Sequence, residues 1–235
     1  MRRLSCLYTS FGSANYIGEE LSILQHSLQC AALASTEYGG KDDEIVAAAL
    51  LHDVGHVLGL EAGLEPGMGG CGVTEHEKIG ASFLKTLGFK ERVCRLVESH
   101  VIAKRYLCYA DSSYYDKLSA ASKTTLSFQG GVMSAAEAAV FEADADRGSY
   151  VKMRLWDESA KVPNLEVPPL ESYLSLLQMC REGSASDEQS SYALSPCQLS
   201  FFNSNGYVKI TNFLPIVGLS PSDLQVLPSI APSKP

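Results

Sequence analysis

At 235 residues and 46% hydrophobic, the chain is long enough to bury a full core, as one domain with a tail. Nineteen Lys and Arg against 27 Asp and Glu give a net charge of -8, which argues against a nucleic-acid-binding surface but not against a locally positive pocket. No apolar run reaches membrane-spanning length. The seven cysteines (Cys6, Cys30, Cys71, Cys94, Cys108, Cys180 and Cys197) form no CxxC pair, so reduced thiols in a cytoplasmic protein are expected.

The opening MRRLSCLYTSF has two arginines in a short mixed segment, too weak a pattern for a targeting signal. Helical spacing of apolar residues then recurs in LSILQHSLQCAALA, DDEIVAAALLHDVGHVL, HEKIGASFLKTLG, ERVCRLVESHVIAKRYL and MSAAEAAVFEADADRGSYVKMRLWDESAK. Gly39-Gly40 ends the first of these helices, Asp42 or Asp43 caps the second, and Gly88 closes the third. Between Gly59 and His76 the glycine-rich GLEAGLEPGMGGCGVTEH is a loop, either a lid or a long connection. Prolines at 163 and 168 stop the helical region, and LESYLSLLQMC adds a last helix. The expected fold is all-α over residues 1–182. Residues 183–192 read as a polar linker, and 193–235 as a short tail with a strand-like YVKITNF.

The His52-Asp53 dipeptide ends the apolar run EIVAAALL. Two adjacent ionisable residues there are costly to bury unless something binds them. A metal ion is the usual partner, and a carboxylate beside an imidazole can bridge two metals because it has two oxygens. A lone histidine on an apolar face is more often a satisfied core residue. Here His26, His76 and His100 join the pair on separate helical segments, which points to a binuclear site. His26, His52 and Asp53 would hold one metal, and Asp53, His76 and His100 the other. A late carboxylate should complete the set. Asp157 is favoured because Arg154, three residues earlier, shares its helix face; Asp146 comes second, and Asp144 with Asp146 also reads as a solvated helix end. His56, four residues after His52, reads either as a residue bonded to a ligand or to backbone, or as a core histidine.

Lys104 lies one turn beyond His100 on the same face. A lysine beside a metal pair calls for an anion between them. With Arg154, and with Ser122 and Gln129 from SAASKTTLSFQGG, it forms a candidate pocket for a phosphonate or phosphate group.

The order His…His-Asp…His…His…Asp resembles the binuclear branch of the HD-domain superfamily, which holds both phosphohydrolases and mixed-valence di-iron oxygenases. From Asn15 to Lys161 the motifs YIGEELSILQHSLQCA, LLHDVGH, EHEKIGASFL, SHVIAKRYL and the FQGG stretch are together similar to the HD-domain phosphonate dioxygenases. Those enzymes act on 2-amino-1-hydroxyethylphosphonate or its trimethylammonio analogue. The resemblance implies an HD-domain helical bundle around an Fe(II)/Fe(III) pair, with O2 as co-substrate and a small organophosphonate as substrate. Glycine or glycine betaine plus phosphate would be the products. It also implies a lid of Tyr16, which caps one iron, and Glu19, which reaches the substrate nitrogen; Lys104, Ser122, Gln129 and Arg154 would be phosphonate contacts. The alternative is a metal-dependent phosphohydrolase acting on a nucleotide or phosphomonoester, in which Tyr16 and Glu19 would have no role. The tail LSPCQLSFFNSNGYVKITNFLP is similar to the opening of phytanoyl-CoA-dioxygenase-like Fe(II)/2-oxoglutarate hydroxylases. An enzyme of that type would supply the α-hydroxyphosphonate, but no histidine follows His100, so the tail itself cannot catalyse.

Overall fold

A computed structural model describes residues 1–15 and 20–182. The proposed linker and tail, and with them the likeness to a hydroxylase, lie outside the described residues. Helix α1 (Arg2–Phe11) was not foreseen in the opening segment. It forms because Leu4, Leu7 and Tyr8 share one face, which is buried, and the Tyr8 hydroxyl donates to the Leu50 carbonyl at 3.2 Å. Helix α2 (Ile23–Tyr38) starts at a reciprocal capping box in which Ser22 and Gln25 satisfy each other's backbone N–H. Helix α3 (Asp43–Leu51) is capped by Asp42, and every residue from Ile45 to Leu51 is buried. That uniform burial explains the run of small and branched apolar residues: α3 packs on α2 and α6 and touches α10.

The remaining helices are α4 (Val54–Glu61), α5 (His76–Thr86), α6 (Glu91–Ala110), α7 (Ser112–Lys117), α8 (Ala120–Phe128), α9 (Ala135–Ala143), α10 (Arg147–Ser159) and α11 (Leu174–Met179). Among the described residues there are no strands beyond two isolated bridges, Asn15 with Ser22 and Phe89 with Arg181. The all-α expectation holds. No helix among the described residues is long and apolar enough to cross a membrane.

Two helices read as continuous are each broken. DDEIVAAALLHDVGHVL divides at His52-Asp53 into α3 and α4, and the later segment divides at 144–146 into α9 and α10. In an unbroken helix consecutive side chains diverge by about 100°. Asp53 instead takes φ -100°, ψ 14° between the two helices, so that both His52 and Asp53 face one point.

Helix α4 presses on the start of α5 through Gly55. A Cβ built there would lie 2.0 Å from the His76 carbonyl oxygen and 2.9 Å from the His76 Cα. Only a residue without a side chain allows this approach, which is why glycine stands inside the helical HDVGH. Gly55→Ala must therefore move His76. We expect a loss of about 1–3 kcal/mol from the overpacking, together with weakened metal binding. Thermal unfolding and metal analysis of the variant check both; a variant with unchanged metal content would refute the link between this contact and the site.

Candidate metal centre

Four histidines converge in the interior, each less than a tenth exposed. Their Nδ1 atoms are all engaged. His52, His76 and His100 each direct Nδ1 at the carbonyl three residues earlier: Ala49 at 2.9 Å, Val73 at 3.3 Å and Val97 at 2.7 Å. His26 on α2 reaches across to the Ala160 carbonyl at 2.9 Å. A carbonyl only accepts, so Nδ1 carries a proton in each ring and Nε2 is the nitrogen turned toward the centre. This is the arrangement that fixes metal-binding imidazoles.

The Nε2 atoms fall into two pairs. His26 and His52 are 3.1 Å apart, and His76 and His100 are 2.9 Å apart. Two imidazole nitrogens at such distances repel unless a proton or a metal cation lies between them. Asp53 sits between the pairs. Its Oδ2 is 3.6 Å from His26 Nε2 and 3.4 Å from His52 Nε2; its Oδ1 is 3.4 Å from His76 Nε2 and 3.7 Å from His100 Nε2. Oδ2 is buried and has no hydrogen-bond partner. An orphaned carboxylate oxygen is expensive inside a protein, and a metal ion would remove the expense. Asp157 brings Oδ1 to 3.3 Å from His26 Nε2, while its Oδ2 accepts from Arg154 Nη1 at 2.5 Å. The donor set of imidazole nitrogens and carboxylate oxygens fits two borderline cations.

The electrostatics carry the same signature. Burial alone would raise both carboxyls. For Asp53 the imidazoles of His52 and His76, and for Asp157 the Arg154 guanidinium with His26, hold them well below the usual range. Burial opposes charge on His52, but Asp53 and Asp157 lift it to about 9. Burial and the neighbouring His76 and His52 push His100 well below an ordinary imidazole. One member of the group thus takes a proton where the carboxylates call for positive charge.

Asp146 and Asp144, the other carboxylate candidates, are spent elsewhere. Asp146 accepts from Arg92 and Arg95 at 3.3 and 2.7 Å, and Asp144 accepts from the Tyr150 hydroxyl at 3.2 Å. His56 lies beside the four histidines and is hydrogen-bonded to backbone. Its Nδ1 accepts the Val73 N–H at 3.1 Å, and its ring stacks on His76 with centroids 3.9 Å apart. Burial, then His76, hold it near 3, so it is neutral with its proton on Nε2.

A cavity of about 50 Å³ adjoins the centre, and Lys104, Ser122, Thr125, Gln129, Arg154 and Lys161 are among the residues that line it. Lys104 is buried at the middle of α6, and its Nζ donates to Thr125 Oγ1 at 2.9 Å. Thr125 was missed, although Ser122 and Thr125 stand at i and i+3 on α8 and so share a face, with Gln129 at the C-cap of that helix. Gln129 keeps a buried Oε1 without a hydrogen-bond partner. Arg154 is held on several sides: Nε donates to the Tyr114 hydroxyl at 3.1 Å, and Nη2 to Ser122 Oγ at 3.4 Å and Glu158 Oε1 at 2.9 Å. Tyr114 and Glu158 carry no motif that would mark them in the sequence. Tyr16 and Glu19 lie outside the described residues.

The HD-domain profile matches residues 23–145. The chain belongs to the HD-domain family. Asp157 and Arg154 lie beyond the matched residues, so the site draws its last carboxylate from a helix outside them. This HD-domain chain is 37% identical over 170 residues to a hydroxymethylphosphonate dioxygenase of Gimesia maris, covering 72% of this chain and 83% of the relative. It is 36% identical over 170 residues to a [1-hydroxy-2-(trimethylamino)ethyl]phosphonate dioxygenase (glycine-betaine-forming) of Leisingera caerulea, covering 71% and 83%. An uncharacterized protein of Acanthamoeba polyphaga mimivirus is 36% identical over 171 residues, covering 73% and 77%. Within the HD-domain family the chain groups with the phosphonate dioxygenases and is an oxygenase.

Proposed function

We propose that this HD-domain protein cleaves the C–P bond of a small α-hydroxyphosphonate with O2, giving a carboxylic acid and phosphate. For 2-amino-1-hydroxyethylphosphonate or its trimethylammonio analogue, the products are glycine or glycine betaine. The reaction balances with one O2: C1 gains one oxygen on becoming a carboxylate, phosphorus gains one on becoming phosphate, and the four electrons released by the substrate reduce O2. The observation that carries the reading is a pair of two-nitrogen sites on either side of Asp53, directly beside a buried pocket rich in cations.

His26, His52, Asp53 and Asp157 would hold one metal, and Asp53, His76 and His100 the second. An Fe(II)/Fe(III) pair would supply the one-electron and O2 chemistry. The protein's own contribution is binding and alignment. Lys104 and Arg154 meet the phosphonate charge. Ser122, Thr125, Gln129 and the Nε2–H of His56 add neutral groups around its oxygens. Asp157, tied to Arg154, links the anion pocket to one metal, so the substrate's reacting carbon is held beside the pair. Tyr16 and Glu19 are proposed as the lid, on resemblance alone. The cavity is small, which suits a small phosphonate better than a nucleotide. An Fe(II)/2-oxoglutarate hydroxylase is the class of enzyme that would make the substrate.

The test is phosphate release by iron-loaded protein from 2-amino-1-hydroxyethylphosphonate, with and without O2. Phosphate and acid formed in step with O2 uptake support the reading. Phosphate released without O2 from ordinary phosphomonoesters, with the phosphonate intact, would move the chain to the phosphohydrolase class.

Lys104 gives the site a pH dependence. Burial, and then the Arg154 charge, lower its pKa to about 7. Below that pH it is cationic and attracts the phosphonate; above it the charge is lost. The kcat/KM for phosphonate should therefore fall as pH rises through about 7. Lys104→Arg, charged at any pH, should abolish this limb, and Lys104→Met should raise KM on the order of 100-fold, the cost of a buried charge-assisted contact. A pH profile unchanged in Lys104→Arg would remove Lys104 from the binding step.

A further inference from the structure

Met68 and Val101 are buried apolar side chains that belong to neither of the two apolar clusters among the described residues. Both line the cavity beside the metal centre instead. Met68 sits in the glycine-rich loop, whose purpose the sequence left open. It has φ 49°, a left-handed conformation that a residue with a side chain seldom adopts. Glycines flank it, and the short turn is closed by Gly70 N–H donating to the Gly67 carbonyl at 3.0 Å.

The loop is pinned on both sides of the cavity. Gly69 lies on α8, where a Cβ would come 3.5 Å from Thr124 and 3.8 Å from the Phe128 ring. Farther on, Val73 gives its N–H to His56 and its carbonyl to His76. The loop is thus a fixed wall of the cavity, and its strained residue is one whose side chain enters it.

The other walls already have work. Asp53, His76 and His100 face the metals, and Lys104, Ser122 and Arg154 face an anion. What remains of an α-hydroxyphosphonate is its carbon substituent, and the apolar part of the cavity lining is Met68, Val101 and Ala121. We infer that Met68, together with Val101, is the specificity-determining wall against which the C1 substituent of the substrate packs. The inference rests on the phosphonate reading of the site. The two named relatives differ at this position of their substrates: one has a bare hydroxymethyl carbon, the other a trimethylaminomethyl group on it. A full-length thioether in so small a cavity favours the smaller substituents, hydrogen or aminomethyl, over trimethylaminomethyl.

The experiment measures kcat/KM for hydroxymethylphosphonate, 2-amino-1-hydroxyethylphosphonate and [1-hydroxy-2-(trimethylamino)ethyl]phosphonate in the iron-loaded wild type, Met68→Ala and Met68→Phe. Metal content and the affinity for inorganic phosphate are measured alongside. Met68→Ala should shift the ratio toward the trimethylamino substrate about tenfold or more, as expected for apolar groups in a fitted pocket, chiefly through KM. Metal content and phosphate affinity should not move. Met68→Phe should shift the ratio the other way, and it carries the test alone if the alanine variant does not fold. An active wild type whose ratios stay within about twofold in the variants overturns the role of Met68 and leaves the reaction standing. A metal-loaded wild type inert toward all three phosphonates overturns the reaction, and this inference with it.

Discussion

Asp53→Ala should leave the protein unable to hold two metals and lower turnover by at least about a thousandfold. Among the described residues, Asp53 is the group whose two oxygens each approach a different pair of histidine nitrogens, Oδ2 toward His26 and His52, Oδ1 toward His76 and His100. Without it the first pair keeps Asp157, but the second keeps only two imidazoles. A two-ligand site binds a borderline cation weakly. Metal analysis after gel filtration should therefore give at most one equivalent, where the wild type gives two. The fold should survive, because Asp53 makes no cap hydrogen bond to α4 and removing it relieves an unpartnered buried oxygen. A variant that still carried two metals would break the assignment of Asp53 as the bridge.

Removing the metals should destabilise the wild type strongly. The native state of the apo-protein packs four imidazoles and two carboxylates against one another in a dry interior, with a proton on His52 standing in for metal charge, a cost a bound cation removes. A ligand present at about a thousand times its dissociation constant adds roughly 4 kcal/mol to folding. For a domain of this size each kcal/mol is worth about 2–4 °C. Chelation should thus lower the thermal midpoint by about 10 °C, and adding iron back should restore it. Asp53→Ala should have a lower midpoint than metal-loaded wild type and respond little to chelator. A wild-type midpoint indifferent to chelation would mean the cluster is a structural histidine network.

What the sequence discloses about this molecule divides along physical lines. The buried His/Asp cluster is legible because burying ionisable residues is costly. His52-Asp53 at the end of EIVAAALL, and His100 amid an apolar α6 face, announce a binding site before any geometry is known. That Asp157 rather than Asp146 joins the cluster is legible through its helical spacing from Arg154. The breaks in the helices are not. The run from Asp43 to Leu58 has unbroken helical periodicity, and only the demand that two adjacent side chains face one centre bends it at Asp53. Helix α1 is short and escapes notice because two arginines mask a three-residue apolar face. Tyr114 and Glu158 are illegible for a different reason. Their role is to orient Arg154 across long sequence distances or within an ordinary helix turn, and no spacing rule encodes that.

The central claim, two metals bridged by Asp53, is tested most directly by crystals of iron-loaded protein measured on both sides of the iron absorption edge. The account predicts two anomalous peaks, one among His26, His52 and Asp157 and one between His76 and His100, with an Asp53 oxygen on each. A single peak, or two peaks that do not share Asp53, would contradict it.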